Sequence, residues 1–70
     1  MTPSAARTYA IRVERHVGPA AAALFPGFDV RHEADGSSVL TGALPDQAAL
    51  YGVLLKLHNL GLVLLSVQRV

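Results

Sequence analysis

The clearest β-hairpin signal in the chain lies in Phe28-Asp-Val-Arg-His-Glu-Ala-Asp-Gly-Ser-Ser-Val-Leu-Thr-Gly-Ala43. Apolar and polar residues alternate from Phe28 to Glu33, which is the period-two pattern of a half-buried strand. Asp35-Gly36 follows, and this dipeptide tolerates the positive φ angles of a tight turn. The chain returns as a strand over residues 38–43. Two antiparallel strands are therefore predicted at the centre of the sequence.

One strand and one helix are predicted on each side of this hairpin. In chain order they are a strand at 8–17, a helix at 20–25, a helix at 46–60 and a strand at 62–69. Gly18-Pro19 opens the first helix, since proline suits the first helical position. Asp46 is the expected N-cap of the second helix, and Gly61 is placed for a left-handed C-terminal cap. The order β-α-β-β-α-β predicts an α+β, ferredoxin-like fold: a four-stranded antiparallel sheet with two helices on one face.

Length and composition exclude several classes of protein. The 70 residues allow one domain at 8–70 after a flexible N-terminal tail at 1–7, and the 51% hydrophobic content excludes intrinsic disorder. The absence of cysteine excludes a disulfide scaffold, a thiolate zinc site and a cysteine nucleophile. No signal peptide is recognised and no apolar run approaches the roughly 18 residues of a membrane span, so a cytoplasmic protein without a membrane partner is expected.

The charged residues are distributed unevenly. Residues 7–35 carry eight charged side chains, whereas residues 39–70 carry only Asp46, Lys56 and Arg69. A domain of this size buries only roughly 60% of the surface that its unfolded chain exposes. The apolar C-terminal half therefore predicts association, as a homo-oligomer (dimer or larger) or with another protein.

The second helix and the last strand supply the candidate interface. At 100° per residue, Ala49, Leu50, Val53, Leu54, Leu57 and Leu60 form its core face. If Val63, Leu65 and Val67 face the helices, alternation turns Leu62 and Leu64 to the open side of the sheet. The predicted interface residues are Tyr51, Leu55, His58, Leu62 and Leu64. The alternative is an ordinary surface with scattered exposed leucines.

Metal, cofactor and nucleic-acid sites are not expected. The predicted topology separates His16 and His32 on non-adjacent strands and places His58 on a helix, without the spacing of a metal motif. The net charge of +1 does not indicate a basic patch. The solvent-facing side of the first strand offers no aromatic residue for base stacking. No cofactor and no nucleic-acid partner are therefore predicted.

No catalytic residue is predicted either, so the chain is not expected to be an enzyme. The possible nucleophiles Ser37, Ser38 and Ser66 lack a G-x-S-x-G context. Asp46 is explained as a cap and Asp35 as a turn residue, and the other carboxylates belong to solvated strand faces.

Residues in both halves resemble a small uncharacterised bacterial protein family. Its members carry a D-Q-A-A-L-x-G helix, matched by Asp46–Gly52, and an L-G-L segment, matched by Leu60–Leu62. The alternating Tyr9, Ile11 and Val13 match the first strand of that family. The resemblance covers residues 8–70, and it implies one compact domain and no catalytic residues.

A weaker similarity connects the chain to ACT-type regulatory modules, which share the βαββαβ order. It implies a small-ligand site at Val17, Gly18 and Pro19, in the turn between the first strand and the first helix. The chain departs from that pattern, since His16 and Val17 stand where these modules carry an acidic residue. The leading prediction is therefore a non-enzymatic interaction module that self-associates, and the alternative is an ACT-like ligand-binding module.

Overall fold

The predicted α+β architecture is confirmed by a computed structural model, which describes residues 7–70. Its elements are β1 (Arg7–Val13), α1 (Pro19–Ala22), β2 (Asp29–His32), β3 (Ser38–Leu44), α2 (Gln47–Asn59) and β4 (Leu64–Arg69). The strands form one antiparallel sheet in the order β2-β3-β1-β4, a layout compatible with a ferredoxin-like fold. The predicted N-terminal tail lies outside the described residues except for Arg7, which begins β1. Among residues 7–70, no helix is long and apolar enough to cross a membrane.

β1 is shorter than the sequence pattern predicts, and its pairing with β3 explains why. Val13 lies opposite Ser38, the first residue of β3. In this antiparallel pairing, residues 14–17 would lie opposite the residues that precede Ser38, and those residues form the hairpin turn. They leave the sheet instead and cross towards α1, which is itself only four residues long.

The predicted hairpin joins β2 and β3, and its turn is held by hydrogen bonds of the Asp35 carboxylate. Its Oδ1 accepts from the backbone N–H of Ser37 at 2.9 Å and from the Ser37 hydroxyl at 2.6 Å. Gly36 adopts a φ of 92°, a conformation that L side chains rarely adopt. The Ser37 hydroxyl, followed by its backbone N–H, lowers the pKa of Asp35 below its ordinary value of 3.8.

The lowered pKa of Asp35 predicts a loss of stability in acid. A carboxyl group whose pKa is lower in the folded than in the unfolded state stabilises the fold above the unfolded pKa. That contribution disappears as the pH falls through the folded pKa. The difference in unfolding free energy between the wild type and Asp35→Ala is therefore expected to shrink from pH 7 to about pH 2, measured by urea unfolding. A difference that stays constant over this range would contradict the assignment.

The core lies between the sheet and the helices. Its eight buried residues are Ile11, Val13, Val17, Phe25, Leu40, Leu44, Leu50 and Leu57. Tyr9 packs against this cluster, as the predicted register of the first strand requires. Leu60 was predicted in the core face of α2 but is 39% exposed, because it is the C-terminal cap where the helix ends. The last two residues of the predicted first helix follow the end of α1, and of these Phe25 is buried whereas Leu24 is exposed.

Candidate interaction surface

The open face of the sheet is polar, which contradicts the prediction for Leu62 and Leu64. Val39 lies opposite both Arg12 and Arg31, and residues that are paired across strands share a face. Ser66 of β4 lies opposite Arg12 on that same face. The Arg12 guanidinium donates to the Ser37 hydroxyl at 2.8 Å. The apolar residues of the C-terminal half are therefore placed elsewhere.

A β-bulge in β4 explains where Leu64 lies. The pairing shifts between Arg12 and Val13, so that Ser66 is opposite Arg12 but Leu64 is opposite Val13. Leu65 is left as the extra residue, and the simple alternation assumed from the sequence breaks there. Since Val13 belongs to the core, Leu64 lies on the helix side of the sheet. Leu62 precedes the strand and packs against the core cluster.

An apolar groove runs between the C-terminal half of α2 and the start of β4. Its volume is about 430 Å³. The lining residues are Leu54, Leu57, His58, Gly61, Leu62, Val63 and Leu64. The structure thus brings together three of the five predicted interface residues, although on the helix side of the sheet.

The other two predicted residues, Tyr51 and Leu55, do not line this groove. They are 59% and 60% exposed. At about 100° per residue, Tyr51 follows Leu54 and His58 around the helix, and Leu55 lies beyond Tyr51 on the outer side of α2. We define the α2–β4 flank as Tyr51, Leu55, His58, Val63, Leu64 and Leu65, all of which are exposed.

The six residues of the α2–β4 flank include no Asp, Glu, Lys or Arg. Arg69 lies opposite Tyr9 and therefore on the helix side too, but at the far end of β4 from Leu64. Lys56, the one charged residue within α2, lies on the opposite side of the helix. Its ammonium donates to the Leu24 carbonyl at 2.8 Å and lies 5.3 Å from the centre of the Phe25 ring. The side of α2 next to β4 is therefore apolar. The opposite side carries the Lys56 ammonium, which is held against the residues that follow α1.

A second groove, of about 360 Å³, lies on the Lys56 side of α2. Phe25, Leu44 and Val53 contribute to its apolar lining. Gly52 also lines it, and a Cβ atom at this glycine would meet nothing within 4 Å. The described part of the chain therefore brings no other atoms close to Gly52.

The predicted ligand residues Val17, Gly18 and Pro19 lie at a junction where both backbone groups of Val17 are already hydrogen-bonded within the chain. Val17 is buried; its N–H donates to the Ser38 hydroxyl at 2.9 Å and its carbonyl accepts from His32 Nε2 at 2.8 Å. Pro19 has no N–H to offer. None of the three predicted residues lines either groove.

His16 and His32 stack at this junction, contrary to the prediction that they lie apart. Their ring centres are 4.3 Å apart and their planes differ by 4°. His16 Nε2 lies 3.1 Å from the Glu33 carbonyl, and His32 Nε2 is bonded to the Val17 carbonyl. A carbonyl oxygen only accepts, so each Nε2 carries a proton. β1 ends at Val13, and this early end allows His16 to lie against β2. The alternating pattern of the sequence continues to residue 17 and gives no sign of it.

The histidine pair has no third potential ligand for a metal. Within residues 7–70, no group of three or more His, Cys, Asp or Glu residues is arranged to hold a metal ion. The pair instead attaches the segment between β1 and α1 to the end of β2. His16 of the segment is hydrogen-bonded to Glu33, and His32 of β2 is hydrogen-bonded to Val17 of the segment.

Comparison with known proteins identifies a family but no activity. A family model described as a domain of unknown function (DUF8691) matches residues 8–68. No curated protein and no solved structure matches the chain.

Proposed function

The chain belongs to the DUF8691 family of domains of unknown function, and we propose that it is a non-enzymatic interaction module that self-associates through the α2–β4 flank. The observation that carries the proposal is the number of large exposed apolar residues in α2 and at the start of β4. Tyr51 and Leu55 of α2, and Val63, Leu64 and Leu65, are 46–60% exposed.

The exposed apolar area is close to what a dimer requires. With roughly 200 Å² for each fully exposed large residue, the exposed fractions of the five apolar flank residues amount to about 530 Å². A standard protein interface buries about 800 Å² on each partner. The flank therefore supplies most of one side of such an interface.

The chemistry of the flank suits a second copy of the same chain. A twofold interface brings the same surface of both copies together, so that residue i contacts residue j and j contacts i. The flank residues include no Asp, Glu, Lys or Arg, so no charge among them needs an oppositely charged partner on that surface. The ACT-like alternative is less well supported, because both backbone polar groups of Val17 are occupied within the chain.

The substitution Leu55→Asp is expected to abolish self-association of a folded protein. Burying an unpaired carboxylate in an apolar contact costs several kcal/mol, so the dissociation constant should rise at least about 100-fold. Light scattering after size exclusion, over a hundredfold range of concentration, measures the mass of each variant. Circular dichroism verifies that the variant is folded.

Leu24→Asp is the matched control for this test. Leu24 is also an exposed leucine, at 45%, but it lies beside Lys56 and not on the flank. Its variant should keep the mass of the wild type. A wild-type monomer at every concentration would refute self-association, and an unchanged mass for Leu55→Asp would remove the flank from the interface.

A further inference from the structure

We propose that the second copy docks edge to edge, with β4 pairing antiparallel to β4 of the other copy, so that the sheet grows from four to eight strands. This inference rests on the proposed function and specifies how the two copies meet. It follows from the chemistry of the two sheet edges, from the direction of the β4 backbone groups and from the position of the flank.

The two edges of the sheet differ in charge. β2 forms one edge, and three of its four residues are Asp29, Arg31 and His32. Charged side chains on an edge strand discourage pairing with another chain. β4 forms the other edge and carries a single charged residue, Arg69, at its end. Only the β4 edge lacks this protection.

The β4 backbone offers unused hydrogen-bonding groups on its outer side. The N–H of Val70 donates to the Thr8 carbonyl of β1 at 2.9 Å, in register with the Tyr9–Arg69 pair. Hydrogen-bonded and non-hydrogen-bonded pairs alternate along an antiparallel ladder. The N–H and C=O groups of Val67 and Arg69 therefore point away from β1, to the outside of the sheet.

Symmetry connects this edge with the α2–β4 flank. Two edge strands that pair antiparallel are related by a twofold axis perpendicular to the sheet, which keeps the helices of both copies on one face. The two α2 helices then lie on either side of the junction, and their apolar flanks face each other. One arrangement thus satisfies the free backbone groups and brings the Tyr51 sides of the two helices together.

The β-bulge sets the register. Because Leu65 is the extra residue, the regular part of the β4 edge begins at Ser66. A pairing centred on Gln68 uses only this regular part, and Val67 of each copy then exchanges both of its hydrogen bonds with Arg69 of the other copy.

Methylation of a single backbone nitrogen tests the pairing without changing any side chain. The full 70-residue chain is made by chemical synthesis with N-methylvaline at position 67, which removes one outward donor and obstructs the edge. The matched control carries N-methylvaline at position 30. Val30 also points its N–H outward. The Glu33 N–H bonds to Ser37 of the β3 side, and alternate residues face β3, so Arg31 faces β3 and Val30 faces away from it.

The expected result is a dissociation constant raised at least about tenfold for the Val67 variant and unchanged for the Val30 variant, measured by light scattering. Equal association of both variants would overturn edge pairing and leave the proposed function intact. A monomeric wild type would instead overturn the proposed function itself.

A second measurement decides the matter if the Val67 variant fails to fold. Amide hydrogen exchange of the unmodified protein is followed by NMR at high and low concentration. Edge pairing requires that the Val67 and Arg69 amides become protected on association, whereas the Val30 amide does not. Association without protection at Val67 would refute the pairing.

Discussion

Replacement of Gly42 by alanine is expected to lower the unfolding free energy by about 1–3 kcal/mol, because the added methyl group overpacks the core. A Cβ atom at this buried position of β3 would lie 2.7 Å from Cγ of Phe28 and 2.8 and 2.9 Å from its two Cδ atoms. Cγ is the root of the ring, so a small side-chain rotation cannot relieve the clash. The Phe28 ring also packs edge-on against buried Phe25, with ring centres 6.5 Å apart. The ring therefore has to move together with the core, or β3 has to shift.

Urea unfolding measures this loss, and two further variants define its origin. Gly52→Ala is the matched control: it lies within α2, meets nothing within 4 Å, and should stabilise the protein by up to about 1 kcal/mol. Phe28→Ala removes the ring that causes the clash. Adding Gly42→Ala to Phe28→Ala should therefore cost much less than Gly42→Ala alone. Strictly additive effects would show that the Phe28 ring is not the obstacle.

Ser38→Ala should destabilise the fold by about 1–3 kcal/mol, because it leaves a buried N–H without a partner. The Ser38 side chain is fully buried, and its hydroxyl accepts from the N–H of Val17 at 2.9 Å and donates to the Arg15 carbonyl at 2.8 Å. These two bonds hold the segment between β1 and α1 over the start of β3. A single core of this size supplies only about 3–5 kcal/mol, so the variant should be marginally folded.

Ser66→Ala is the control for the Ser38 prediction. Ser66 is exposed on the open face of the sheet, and its loss should change the unfolding free energy by less than about 0.5 kcal/mol. A local readout accompanies the urea titration. Ser38→Ala should alter the NMR signals of the His16 and His32 rings, since their stacking depends on the position of residues 15–17. Equal stability of the two serine variants would contradict the role assigned to Ser38.

The element order could be predicted because its signals are local. The Asp46 carboxylate accepts from the N–H of Ala49 at 2.8 Å, as its position as an N-cap predicts, and Gly61 adopts a φ of 77° at the predicted left-handed cap. Each signal involves residues within a few positions of one another. The hairpin at Asp35 belongs to the same class.

The candidate surface was only partly predictable, because strand pairing is not a local property. The Val13–Ser38 pair ends β1 early, and this brings His16 onto His32 although the periodic pattern continues to residue 17. The bulge at Leu65 depends on how β4 meets β1. A shift of one residue moves a side chain to the other face of a sheet, which is why Leu64 lies on the helix side and not on the open side.

The pairing of β1 with both β3 and β4 also constrains when the chain can fold during synthesis. Tyr9 lies opposite Gly42 on one side and Arg69 on the other, so the central strand is completed by segments about 33 and 60 residues further along. Contacts of such long separation form late, since loop closure precedes any gain from pairing. On the ribosome, β1 must wait for residues 64–69 before its second neighbour exists. Until then the apolar side of the growing sheet is exposed, and this interval is when the nascent chain is most vulnerable to aggregation.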